Sequence, residues 1–146
     1  MAQGRLSPPG LAQFVAVGAQ DLPPDYAEQV VAEYGRRRDV LYEGLRKIPG
    51  VFLTRPEGAF YFVARLPVAD ADDFARWLLA DFEHQRATVM VAPASGFYAT
   101  PGLGADQVRI AYVLNERDLR AAVGVLEEAL KVYAGRAEKE SVVISR

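Results

Sequence analysis

The 146 residues suit one domain with a real core, and 51% apolar and 25% charged residues are ordinary globular values. A net charge of −2 leaves no basic footprint for nucleic acid or an anionic membrane. The absence of cysteine excludes disulfides, thiolate metal sites and a cysteine nucleophile, and suits the cytoplasm.

In chain order, Ser7-Pro8-Pro9 reads as a helix start with Ser7 as cap and Pro8 at the first helical position. Leu11, Phe14, Val15 and Gly18 then share a face. "DLPPD" at 21–25 breaks this segment and starts a second helix, in which Tyr26, Val30, Tyr34, Leu41, Leu45 and Ile48 recur at helical multiples through about Lys47. Its run of Arg36, Arg37 and Arg38 is balanced by Glu33, Asp39 and Glu43 and reads as a solvated face. At 1.5 Å per residue this helix would be roughly 36 Å long, or bent, and such length is more than a small domain needs.

Pro49-Gly50 ends it, and "VFL" at 51–53 is a short strand. "RPEG" at 55–58 is a turn. The near-continuous apolar run from Ala59 to Leu66 predicts a strand buried on both faces; its strictly apolar part, "AFYFVA", is far too short to span a bilayer. A helix follows with Phe74, Trp77, Leu78 and Phe82 inward, its start crowded by Asp70, Asp72 and Asp73 as capping charges. "TVMVA" at 88–92 predicts a further strand, the Gly/Pro-rich stretch 93–106 a loop, and 107–113 a last strand. Glu116 to Tyr133 carries the clearest helical stripe, and 136–146 reads as a tail. The expected class is α+β, a small open, mainly antiparallel sheet with helices packed on one face.

Arg109 sits inside the last strand, between Val108 and Ile110. Alternation puts Val108, Ile110 and Tyr112 on one face and Gln107, Arg109, Ala111 and Val113 on the other. A guanidinium among small or apolar neighbours suits two-point capture of a carboxylate. From the strand alone, the reading to prefer is an arginine on a wet sheet face paired with a surface acid. Other chemistry is thin. His84 is the only histidine and stands at a helix end, Ser95 has no histidine base nearby, and Gly102-Leu103-Gly104 lacks the context of a dinucleotide fingerprint.

"RPEGAFYFVARLP", "VMVAPASGFY" and "VRIAYVLNERDLRAAVGVLEEAL", in this order, resemble the closing portion of fold type I pyridoxal-phosphate-dependent aminotransferases, most of all the aspartate aminotransferase group. The resemblance spans about residues 5–135. It implies that Arg109 binds the substrate α-carboxylate. It further implies that Gly58, Phe60 and Tyr61, with the loop around Ser95-Gly96-Phe97, line the cleft between a small and a large domain. Among these, Arg109, Gly58, Phe60 and Phe97 are the expected substrate-binding set.

The chain departs from the family in its lysines. Such an enzyme needs a Schiff-base lysine and an acid partner for the cofactor's pyridine nitrogen. Lys47, Lys131 and Lys139 are the only lysines, and none stands in a family-like motif. The resemblance therefore implies a C-terminal fragment: residues 1–20 a helical segment continuing from a missing large domain, 21–135 the small domain, 136–146 the tail. The intact enzyme would hold pyridoxal 5'-phosphate, take an amino acid and a 2-oxo acid, and form a homodimer. The fragment would bind no cofactor and be inactive alone, and the helical face meeting the large domain would be unusually apolar. Alternatives are a stand-alone α+β ligand-binding or regulatory module, or the small domain of a related pyridoxal lyase or decarboxylase.

Overall fold

The structure, a computed structural model, describes the backbone of residues 8–144 and the side chains of residues 8–136. Ser7 lies outside the described residues. Contacts divide the chain into two units, one up to Glu33 and one from Tyr34 onward.

The first unit is helical. α1 spans Gly10–Gly18 with Pro9 rather than Pro8 flanking it, so the proline that fixes an extended backbone sits just outside the first turn. Leu11, Phe14 and Val15 are exposed, so the stripe expected on this helix is uncovered in the described residues. A single 3-10 turn, Ala19–Asp21, follows. α2 begins at Tyr26 and runs to Leu45, about 30 Å rather than 36 Å.

The second unit holds the sheet. β1 (Phe52–Leu53), β2 (Tyr61–Arg65), β3 (Ala92–Pro93) and β4 (Gln107–Ala111) form one antiparallel sheet in the order β1-β2-β4-β3. α3 (Ala71–Ala80) lies between β2 and β3 in the chain, and α4 (Glu116–Ile144) closes it. The expected α+β class and open antiparallel sheet are found.

Strand extents differ from expectation. Of 88–92 only Ala92 enters the sheet, with Pro93 beside it, because Val89 and Val91 meet the core from irregular backbone while Met90 points to solvent. β2 is not buried on both faces. Phe62 and Ala64 are buried, whereas Val63 between them is 47% exposed. Helices cover one face of the sheet only, and the apolar run is interrupted by that geometry rather than by its sequence. α4 runs past Tyr133 to Ile144, through a proline-free stretch rich in good helix formers.

The covered face is held by stacked apolar layers. Phe62 and Ala64 of β2 and Val108 and Tyr112 of the β4 segment meet Leu41 and Leu45 of α2 and Leu119 and Leu126 of α4 in a single core. At one end Phe74, Trp77, Phe82 and Tyr133 form an aromatic group with centroid separations of 5.0–6.0 Å. Asp70 caps α3 by accepting from the backbone N–H groups of Asp72 and Asp73, as expected. The carboxylates of Asp72 and Asp73 stand in the first turn, where Asp72 accepts from Ser95, and Asp73 from Arg76 and Tyr133.

Of the three arginines of α2, Arg36 is exposed as expected, while Arg37 and Arg38 are partly covered and engaged by backbone carbonyls. Arg37 donates to the Val113 carbonyl at 2.7 Å, and Arg36 lies 3.9 Å from Glu116. Arg38 is half-buried and bonds Asp39 and the Pro56 carbonyl. Asp39 also takes Arg55 at 2.7 Å. Hydrogen bonds from Arg38, then from Arg55, hold its carboxyl below the ordinary 3.8. These bonds tie α2 to the turn at 55–58 and to the end of β4.

Tyr133 reports on the α3–α4 contact. Burial first, and then its hydrogen bond to Asp73 at 2.7 Å, push its hydroxyl up to about 12. A raised folded value means this contribution is complete below the ordinary 10.0 and is lost as pH rises through about 12. Tyr133→Phe is expected to lower stability by about 1 kcal/mol at neutral pH. It should also flatten the loss of denaturation midpoint on the alkaline side, as urea melts of both proteins across that range would record.

Candidate functional site

The bare face of the sheet carries Tyr61, Val63 and Arg65 from β2 and Gln107, Arg109 and Ala111 from β4. Arg109 lies at the centre of this array. Val63 stands opposite it on one side and Ala92 on the other. Its side chain is exposed, and no carboxylate among the described residues forms an ion pair with it. Neighbouring arginines are spoken for, Arg65 by Asp106 at 3.1 Å and Arg55 by Asp39. Of the two readings open for Arg109 in the sequence, pairing with a surface acid is therefore not found among the described residues.

Two aromatic rings take the place of a counter-ion. The Arg109 Cζ lies 5.0 Å from the ring centroid of Tyr61 and 4.9 Å from that of Phe97. Tyr61 comes from β2, on one flank of β4. Phe97 comes from the 3-10 turn Ser95–Phe97 directly after β3, on the other flank. Cation–π attraction orients the guanidinium while neutralising nothing, so its charge stays available to an anion.

The loop carrying Phe97 is tied down at several points. Ala94 N–H donates to the Gln107 carbonyl at 2.9 Å, and the Ser95 hydroxyl donates to the Asp72 carboxylate at 2.6 Å. Tyr98 donates its hydroxyl to the Gln107 side chain at 2.7 Å. Ser95 thus has an acid partner and a structural use, and no base is arranged to make it a nucleophile. Gly104 lets the loop close: its φ is +74°, and a Cβ there would stand 2.5 Å from the Tyr98 ring.

The turn at 58–60 is fixed from below. Tyr112, on the covered face, donates its hydroxyl to the Ala59 carbonyl at 2.9 Å and its N–H to the Phe60 carbonyl at 2.9 Å. Burial raises the Tyr112 hydroxyl above its ordinary value, keeping it a donor. The left-handed backbone of this turn falls on Ala59, φ 61°, and not on Gly58. A Cβ at Gly58 would meet nothing within 4 Å, so no neighbour inside the chain demands glycine there. Phe60 is 54% exposed, with its ring edge-on to Tyr61 at 5.8 Å. The structure thus joins Arg109 directly to Phe97 and Tyr61, and joins Phe60 to the group only through Tyr61. Tyr112 and Asp72 are supports that sequence reasoning missed; a tyrosine three places beyond the arginine, on the opposite face of the strand, was the available signal for the first.

His84 is removed from this site. It is half-buried and pairs with Ala87 across a tight turn whose central residues, Gln85 and Arg86, have φ of 52° and 61°.

The matching family model is "Aminotransferase class I and II", which covers residues 1–126. The chain belongs to this family. An aspartate aminotransferase of Geobacillus stearothermophilus is 32% identical over 135 residues, covering 88% of this chain and 32% of that protein. A probable aspartate/prephenate aminotransferase of Aquifex aeolicus is 34% identical over 127 residues, 82% of this chain and 30% of its own length. Among solved structures, an alanine aminotransferase from Pyrococcus furiosus superposes with a TM-score of 0.71 at 29% identity, over 89% of this chain and 32% of that one. This aminotransferase chain spans about a third of the length of the curated relatives it matches.

Aminotransferases of this kind use pyridoxal phosphate, and the described residues do not fit it by themselves. An imine-forming lysine needs a lowered pKa. Lys131 is raised, by its hydrogen bond to Glu127 above all. Lys47 is exposed at the end of α2, and the Lys139 side chain lies outside the described residues. No step is derived through the cofactor from these groups.

Gly104→Ala should strain a left-handed residue and push the Tyr98 ring off Gln107, at a cost of about 1–3 kcal/mol. The expected signature is a lower melting temperature together with altered chemical shifts around Phe97 and Arg109.

Proposed function

We propose that this chain is the C-terminal small domain of a pyridoxal-phosphate-dependent aminotransferase, and that Arg109 binds the α-carboxylate of the amino acid and of the 2-oxo acid. The observation that carries the reading is the Arg109 guanidinium: exposed, unopposed by any described carboxylate, and held by two rings on the bare face of the sheet. An exposed charge that no described carboxylate opposes is placed for an external anion. Its planar fork matches a carboxylate at two points.

In the intact enzyme this hold would orient the substrate so that its α-hydrogen faces the catalytic lysine of the large domain. Positioning of this kind removes several kcal/mol from a barrier. Phe60, Phe97 and the open surface over Gly58 would form the small-domain wall of the cleft, and closure of that wall would exclude water. Residues 1–20 would continue from the large domain, 21–135 would form the small domain and 136–146 its tail. The intact protein would be a cytoplasmic homodimer, a setting that suits a cysteine-free chain.

Aspartate is the proposed amino donor, on the names of the curated relatives, several of which are aspartate aminotransferases. Solved neighbours also include an alanine aminotransferase.

The chain alone is expected to be inert. Mixed with pyridoxal phosphate, aspartate and 2-oxoglutarate, it should show no turnover; turnover abolished by one lysine substitution would overturn this. Titration with 2-oxoglutarate followed through arginine side-chain NMR should move the Arg109 signal with a dissociation constant in the millimolar range or weaker, as one exposed pair allows. Arg109→Gln should abolish the response. A response that survives this substitution refutes the assignment.

A further inference from the structure

We propose that Phe97, together with Tyr61, is a positioning and selectivity residue: it holds the Arg109 guanidinium so that only a planar oxyanion, a carboxylate, meets it well. This rests on the carboxylate role of Arg109 and adds how the neighbourhood restricts what that group accepts.

Three observations carry it. The rings of Tyr61 and Phe97 stand 5.0 and 4.9 Å from the same Cζ and arrive from opposite flanks of β4. Bracketed from both flanks, the guanidinium offers its distal N–H edge to a ligand. A carboxylate lies in the plane of that edge with both oxygens engaged. A tetrahedral sulfonate must put an oxygen out of the plane, toward a ring. Secondly, Phe97 is 63% exposed and belongs to none of the core contacts, so its ring is not there to fill the interior. Thirdly, its turn is fixed on both sides by bonds that involve no part of Arg109: Ser95 to Asp72, and Ala94 and Tyr98 to Gln107. An exposed ring on a braced turn, over an arginine with no counter-ion among the described residues, has the geometry of a guide.

The test uses the whole chain labelled with 15N-arginine. Acetate and methanesulfonate, two monoanions each with one methyl, are titrated at constant ionic strength, and Arg109 is assigned by its loss in Arg109→Gln. Before any ligand is added, the Arg109 Nε–H resonance should lie upfield from ring currents and shift downfield in Phe97→Leu, which keeps apolar bulk without a π face. Acetate affinity should fall about two- to fivefold in Phe97→Leu, the worth of an exposed cation–π contact, and the preference for acetate over methanesulfonate should narrow. Phe97→Tyr should restore both. A merely structural role for Phe97 would alter melting temperature but leave the preference ratio untouched. If wild type binds acetate at Arg109 and Phe97→Leu leaves affinity and preference unchanged, the inference is refuted and the carboxylate role stands. If acetate does not move Arg109 in wild type, both fall.

Discussion

Helices cover only one face of a four-stranded sheet, and this single asymmetry decides what each residue of β2 and β4 does. The alternation of side chains sends Phe62, Ala64, Val108 and Tyr112 inward and leaves Tyr61, Val63 and Arg109 on bare sheet. Were a second helical layer packed there, the guanidinium would need a buried counter-ion, and its charge would be spent within the fold. Open, it needs only orientation, which two aromatic rings supply without neutralising it.

The supports of the site reach it from the covered side. β4 carries Arg109 on one face, and Tyr112, directly after the strand and two residues on from Ile110, lies on the other. Tyr112 ties down the turn before β2 through the carbonyls of Ala59 and Phe60. α2 reaches the same turn through Arg38 and Asp39, and the end of β4 through Arg37. α3 braces the opposite loop through Asp72 and Ser95. Core packing and site geometry are thus two faces of the same strands, and damage to one is expected to be felt in the other.

Much of this was legible in the residues and some of it could not have been. α3 and α4 announce themselves by helical periodicity, and Asp70 by its place before the first apolar residue of α3. The face assigned to Arg109 followed from alternation alone. Strand extents did not follow, because Val91 is buried and Val89 partly buried without a pairing partner, and burial and pairing leave the same apolar mark. The turn at 84–87 uses Gln85 and Arg86 in left-handed backbone, where no glycine or asparagine gives warning. The contact between Phe97 and Arg109 spans a whole loop, and no local pattern encodes it. The arginine run of α2 was legible only in part: Asp39 does pair with Arg38, but Val113, Pro56 and Glu116, which also meet the run, are remote in the chain.

The two-sided use of β4 also limits how this architecture can vary. A single residue inserted between Gln107 and Tyr112 would turn the strand over, sending the guanidinium into the hydrocarbon interior and Ile110 or Val108 out to water. The stretch from Thr100 to Leu103, which lies outside the core, carries no such penalty. Descendants of this chain are therefore free to lengthen or shorten the rim beside the anion-binding group, while the ladder beneath it tolerates exchange of side chains but not a change in count.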